Sequence, residues 1–188
     1  MMDVQEMFEK GVIYSDFLKG ADEKSYLKLH EIYNNLHFSE DIKGRIKSIG
    51  REINVLIFAE TWCPDCVVSV PALVKMAEEN KNIKYAILPR EGHEDFLEKY
   101  RYEGKPRIPT FVFYDENFSE LGSFVEIPQK IKIIYEKGYQ PDIIVARREY
   151  RQGKYYNMIA EEFLKIIREN NPDNIGLGGI PLSEKFKK

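Results

Sequence analysis

The stretch from Ile53 to Glu79 constrains the fold most. It opens with a nearly unbroken apolar run, Ile53-Asn54-Val55-Leu56-Ile57-Phe58-Ala59. A run this short, rich in β-branched residues, suits a strand covered on both faces, as a central parallel strand is. Val67 to Glu79 then reads as a helix, with Pro71 inside it and expected to kink it. Asn82 to Leu88 is a second strand candidate. Strand, helix, strand makes a βαβ unit, whose parallel strands require a crossover of this length.

Both cysteines of the chain lie in the turn between the first strand and the helix, in Trp62-Cys63-Pro64-Asp65-Cys66. A disulfide closing so short a loop removes little chain entropy, so a structural staple explains the pair poorly. Two cysteines separated by two residues inside a βαβ pattern point to redox chemistry. Cys63 is expected at the helix N-terminus, with Pro64 at the first helical position, where a missing N–H costs nothing. The unpaired N–H groups and the positive end of the helix dipole favour an anion there. The Cys63 pKa should therefore be lowered and its thiolate made nucleophilic. Cys66 lies one turn on, within disulfide range. Cys63 is thus the candidate nucleophile and Cys66 the resolving thiol. Asp65 places a negative charge beside the thiolate and should work against it.

Periodicity supplies the remaining elements. The first ~50 residues read as helical. One helix runs from Ala21-Asp22 to about His37, with Tyr26, Leu29, Ile32, Tyr33 and Leu36 at helical spacing; a shorter one carries Ile42, Ile46 and Ile49 behind an N-cap at Ser39. Glu94 to Tyr102 is expected to be helical. Pro109 to Tyr114 reads as a strand opened by proline. Asp115-Glu116-Asn117 turns the chain, and Leu121 to Val125 returns as an antiparallel partner. Ile127 to Lys137 is expected to be helical, and Gly138, Pro141 and Gly153 interrupt the chain beyond it. Tyr155 to Asn170 is a helix whose stripe of Tyr156, Ile159, Phe163, Ile166 and Ile167 should pack on the sheet.

Composition narrows the function. The chain has 28 Lys plus Arg against 31 Asp plus Glu, a net charge of −3, which argues against a nucleic-acid binder. A membrane-surface role finds no support, and no apolar stretch reaches the ~18 residues of a spanning helix. The opening residues carry neither a basic nor an apolar leader pattern, so a cytosolic protein is expected, where thiols are kept reduced. No metal is expected: a zinc site needs four ligands, a second cysteine pair is absent, and His30, His37 and His93 lack ligand spacing. There is no nucleophile elbow, no G-x-G-x-x-G and no P-loop.

The run Thr61-Trp62-Cys63-Pro64-Asp65-Cys66-Val67 resembles the thioredoxin superfamily, and in particular its small cytosolic members with the same W-C-P-D-C. The resemblance covers roughly Ile53 to Val125. Pro71, eight positions after Cys63, matches the proline that kinks the family's active-site helix. Ile108-Pro109-Thr110 matches the family's cis-proline loop. The resemblance implies an α/β thioredoxin fold, a central mixed sheet flanked by helices, here with an N-terminal helical extension and extra C-terminal helices. It implies substrate contact by Trp62 and Ile108 and steric guarding of the site by Pro109. It also implies thiol–disulfide exchange with protein or small-molecule disulfides, no cofactor, and recharging by a thioredoxin-reductase-type or other thiol donor.

Three departures stand out. The family's buried aspartate, six positions before the first cysteine, is Ile57 here. That carboxylate normally helps the resolving thiol lose its proton; Glu60 or Asp65 is the candidate substitute. Pro64-Asp65 replaces the usual Gly-Pro. Arg107 stands where glycine is common, and could lower the Cys63 pKa or attract acidic substrates, or be an exposed arginine without a role. The expected organisation is a helical extension over residues 1–50, a thioredoxin-like domain over 51–170 and a flexible tail over 171–188. The alternative function is a thioredoxin-fold binding or scaffold module with little redox turnover, since fold does not fix function.

Overall fold

The computed structural model describes residues 3–169, so the expected tail lies outside the described residues. The N-terminal helices are α1 (Val4–Lys10), α2 (Tyr14–Lys19), α3 (Glu23–Asn35) and α4 (Glu40–Lys47). The Asp22 carboxylate caps α3 by accepting from the Ser25 N–H at 2.8 Å. Ser39 caps α4, accepting from the Ile42 N–H at 3.4 Å. The sheet begins with β1 (Ile53–Phe58), crosses through α5 (Cys66–Glu79) and continues in β2 (Ile83–Leu88). The chain goes on through α6 (Glu94–Leu97), β3 (Arg101–Tyr102), β4 (Lys105–Pro106), β5 (Thr110–Tyr114) and β6 (Glu120–Val125). It closes with α7 (Gln129–Glu136), α8 (Gln140–Arg151) and α9 (Tyr156–Glu169).

The main sheet has the order β2-β1-β5-β6. β1 is parallel to β2 and antiparallel to β5, and β5 is antiparallel to β6, so the sheet is mixed. Every residue of β1 is buried, as its unbroken apolar run requires. Phe163 of α9 fastens a helix to one face of the sheet. Its ring lies 4.9, 5.3 and 5.1 Å from those of Phe111, Phe113 and Phe124. The expected stripe therefore packs as its spacing demands. On the other end of the sheet, Val12 pairs with Ile87 through two backbone bonds of 2.8 and 2.9 Å. The N-terminal segment thus covers part of the β2 edge, which would otherwise offer free ladder groups. That approach needs a glycine at position 11: a Cβ there would lie 2.6 Å from the Ala86 Cβ.

Two expectations are corrected. The helix expected over Glu94 to Tyr102 stops at Leu97, and Arg101–Pro106 forms a two-strand hairpin instead. Its turn is Glu103-Gly104, both at positive φ (51° and 72°), the geometry of a tight hairpin turn. Second, Pro141 does not interrupt the chain: it sits in the first turn of α8, where proline is tolerated. Gly138 and Gly153, at φ of 71° and 76°, end α7 and α8.

Candidate active site

The two cysteines stand where β1 hands over to α5. The Val67 N–H bonds the Cys63 carbonyl at 3.1 Å, so the first helical turn is anchored on Cys63. Regular helix begins at Cys66 with Asp65 as its N-cap, so Pro64 does not take the expected first helical position; Pro64-Asp65 form a turn leading into α5, because the i+3 bond of Val68 to Asp65 tightens this first turn. Both cysteines are unpaired thiols; Cys63 is 6% exposed and Cys66 fully buried. Cys63 thus lies just beneath the surface, with Cys66 deeper.

Their environments drive the two acidities apart. The Cys66 thiol donates toward the Cys63 sulfur and holds Cys63 below the ordinary thiol range, and the backbone N–H groups of Cys66 and Asp65 add to this. Burial and the Asp65 charge oppose the shift without reversing it. Burial first, then the bond to Cys63 and its charge, push Cys66 well above the ordinary range. Such a split, between a thiol ready to attack and one held in reserve, is what exchange chemistry uses.

The loop before β5 closes the site. The Cys63 Sγ donates to the Ile108 carbonyl at 3.6 Å, and the Ile108–Pro109 peptide bond is cis. The loop is tied to the sheet through Thr110, whose hydroxyl donates to the Arg107 carbonyl at 2.6 Å. Trp62, next to Cys63, is 63% exposed. Arg107 lies between two carboxylates, 3.5 Å from Glu103 and 3.9 Å from Glu126. The Glu60 carboxylate accepts from the Arg90 N–H at 2.9 Å, on the β2 side of the turn. Ile57, at the position of the family's buried aspartate, is itself buried and carries no polar group. Among the described residues, no group of three His, Cys, Asp or Glu side chains is placed to hold a metal ion. No described helix is long and apolar enough to cross a membrane.

The structure adds residues that sequence reasoning missed. α8 packs beside α5 and brings Arg151 to 3.9 Å from Asp65. Burial pushes the Asp65 carboxyl up, and the charges of Arg151 and Arg147 pull it back. Tyr150 of the same helix is buried beneath the site, where its hydroxyl donates to the Glu126 carbonyl at 3.5 Å. Glu126 has φ of 65° and a backbone N–H bonded to the Pro109 carbonyl at 2.7 Å. Burial raises its carboxyl too; Arg107 offsets this and the Asp65 charge reinforces it. The signal for the α8 residues in the sequence is the Arg-Arg-Glu-Tyr-Arg run ending that helix, which has meaning only once the helix is recognised.

Comparison with known proteins agrees with this geometry. The family model described as Thioredoxin matches residues 11–140, more than half of the chain. A Pseudomonas aeruginosa protein of unknown function, known from a 1.5 Å crystal structure, superposes with a TM-score of 0.78. It is 27% identical, over 89% of this chain and 98% of that one. An HIV epitope-scaffold gives a TM-score of 0.77 at 26% identity, over 88% of this chain and 98% of that one. No curated protein matches the chain at a significant level.

Proposed function

Because the chain belongs to the thioredoxin family, we propose that it is a thiol–disulfide oxidoreductase working through Cys63 and Cys66. The observation that carries this reading is the unequal pair itself: a lowered Cys63 facing the Ile108 carbonyl, with a raised, fully buried Cys66 one turn behind. A metal-binding or purely structural pair has no use for such a difference.

The Cys63 thiolate attacks one sulfur of a substrate disulfide. A mixed disulfide forms, and the other substrate sulfur leaves as a thiolate. Cys66 then gives up its proton and attacks the Cys63 sulfur. The Cys63–Cys66 disulfide forms, the second substrate thiolate departs, and two electrons have passed to the substrate. With the substrate's sulfur in place, the Ile108 backbone and the Trp62 ring contact the substrate, Pro109 limits approach, and Arg107 borders the loop side. Cys66 needs a proton acceptor. Asp65 suits this role better than Glu60, because its charge is felt by both cysteines while the Glu60 carboxylate is engaged by Arg90. The reaction as written needs no organic cofactor. A cytosolic thiol donor, of the flavin reductase type or a small dithiol, returns the pair to its reduced form.

Insulin reduction with dithiothreitol as donor tests the reading. Turnover is expected, and Cys63→Ser should abolish it; a fully reduced wild-type protein without any exchange activity would overturn it.

A further inference from the structure

Next to the reactive turn lies a groove of about 480 Å³, within the ~300–1,000 Å³ range of ligand clefts. Its floor is the turn itself, including Trp62 and Pro64. One wall is the start of α3, with Asp22, Lys24 and Lys28; the other is Arg151 at the end of α8. Neither wall belongs to the strand–turn–helix unit that holds the cysteines.

The charges in this groove are unbalanced. Lys24, Lys28 and Arg151 are cations in a chain whose net charge is −3. The lining carboxylate, Asp22, caps α3, accepting from the Ser25 N–H at 2.8 Å and from the Ser25 hydroxyl at 3.1 Å, and stays ionised beside Lys24, so the lining carries three cations against one carboxylate. Lys28 pairs with Glu31 at 2.9 Å and Arg151 with Asp65 at 3.9 Å. Lys28 and Glu31 are both open to water, and a pair this exposed is weak and readily exchanged for another anion; Arg151 is committed to the mostly buried Asp65 but keeps 47% of its side-chain surface open toward the groove. Lys24 is exposed, with the Asp22 carboxylate as its electrostatic neighbour. On the opposite side of the cysteines the charges balance differently, since Arg107 stands between Glu103 and Glu126.

We infer that this groove receives an acidic stretch of the polypeptide whose disulfide is being exchanged, so that the enzyme prefers protein substrates with Asp or Glu flanking the target cysteine. The inference rests on the dithiol reading above. It names a substrate class for that site: the polypeptide lies across Trp62 with its carboxylates between Lys24, Lys28 and Arg151. Charges arranged in this way act mainly on encounter and register, and their effect falls as salt rises.

The test uses two disulfide-bridged peptides of equal length, one with Glu and one with Lys flanking the cysteines. The full chain should reduce the Glu peptide about tenfold more efficiently, in kcat/KM, at low salt, with the ratio shrinking as salt is added. Lys24→Glu/Lys28→Glu, at an exposed and a half-buried position of α3, should invert the ratio. Equal rates for the two peptides, or a preference that survives the charge reversal, overturn the inference. If no disulfide is reduced at all, including the neutral 2-hydroxyethyl disulfide, the dithiol reading fails and the groove is judged alone. Fluorescence anisotropy with cysteine-free versions of the peptides does this. Tighter binding of the Glu peptide, lost on charge reversal, supports the groove; identical binding of both peptides overturns it.

Discussion

The site is assembled from two parts of very different origin in the chain. The turn from Trp62 to Cys66 is local: strand, cysteines and helix are contiguous, and the sulfur chemistry arises from that continuity. The α8 side is remote, some eighty residues downstream, and adds a charge beside Asp65 and a buried phenol electrostatically coupled to both cysteines. The contrast teaches a division of labour. On the proposed reading, the local turn makes one thiol reactive, and the remote helix offsets a handicap the turn carries within itself, the carboxylate of Asp65.

Breaking the local half should have the largest effect. Cys63→Ser is expected to remove disulfide reduction altogether, whereas Cys66→Ser should leave the first attack intact and stop at the mixed disulfide. Intact-protein mass spectrometry after incubation with a disulfide substrate distinguishes the two. A Cys66→Ser protein that forms no adduct would show that the roles are assigned wrongly.

The next effect is on stability. Phe163 joins α9 to three rings of the sheet, and Phe163→Ala should cost about 3–5 kcal/mol in denaturant unfolding. Gly11→Ala, which pushes a methyl group against Ala86 at the edge of β2, should cost about 1–3 kcal/mol. If the Gly11 variant matched the wild type, the Val12–Ile87 pairing would be an ornament rather than part of the fold.

Smaller shifts sharpen the remote half. Arg151→Ala leaves the Asp65 charge less compensated, so the Cys63 pKa should rise; Asp65→Asn removes that charge, so it should fall. In the Asp65→Asn background the arginine change should have little further effect. A thiolate titration across the four proteins forms a double-mutant cycle, and additive shifts would rule out the coupling.

The smallest expected effect is on pH dependence. Burial raises the Asp65 carboxyl in the folded state. The folded chain then binds this proton more tightly than the unfolded one, so the contribution to stability is full below the unfolded pKa and is lost as pH rises through the folded pKa. Asp65→Asn should therefore melt slightly higher than wild type at neutral pH, with the gain shrinking in mild acid. A gain that grew on acidification would contradict the sign of the shift.

The difference between the two halves also explains what could be read in the sequence. The β1–α5–β2 unit, the β5–β6 hairpin and the Phe163 stripe each announce themselves by a short-range pattern, because their burial repeats along the chain. Proline and glycine disguise α8 in the sequence, since Pro141 opens the helix and Gly138 and Gly153 flank it. The same residues signal a break or a boundary, and only packing tells which. The hairpin at Arg101–Pro106 was hidden because its turn puts a glutamate, not a glycine, at its first positive φ. In the site, Cys63 and Cys66 were legible from spacing. Arg151, Tyr150 and Glu126 were not, because nothing local ties them to Asp65; a proximity of this kind exists only after the chain has folded.

The central claim is that the Cys66 thiol, with the backbone N–H groups at the start of α5, makes Cys63 a stabilised thiolate, while burial keeps Cys66 protonated behind it. The pH dependence of iodoacetamide alkylation, with the modified residue identified by peptide mapping, tests it most directly. The account predicts reaction at Cys63, with an apparent pKa below that of an ordinary thiol, ~8.5, and no reaction at Cys66 over the same range. Alkylation of Cys66 first, or of both with ordinary thiol titration, would contradict it.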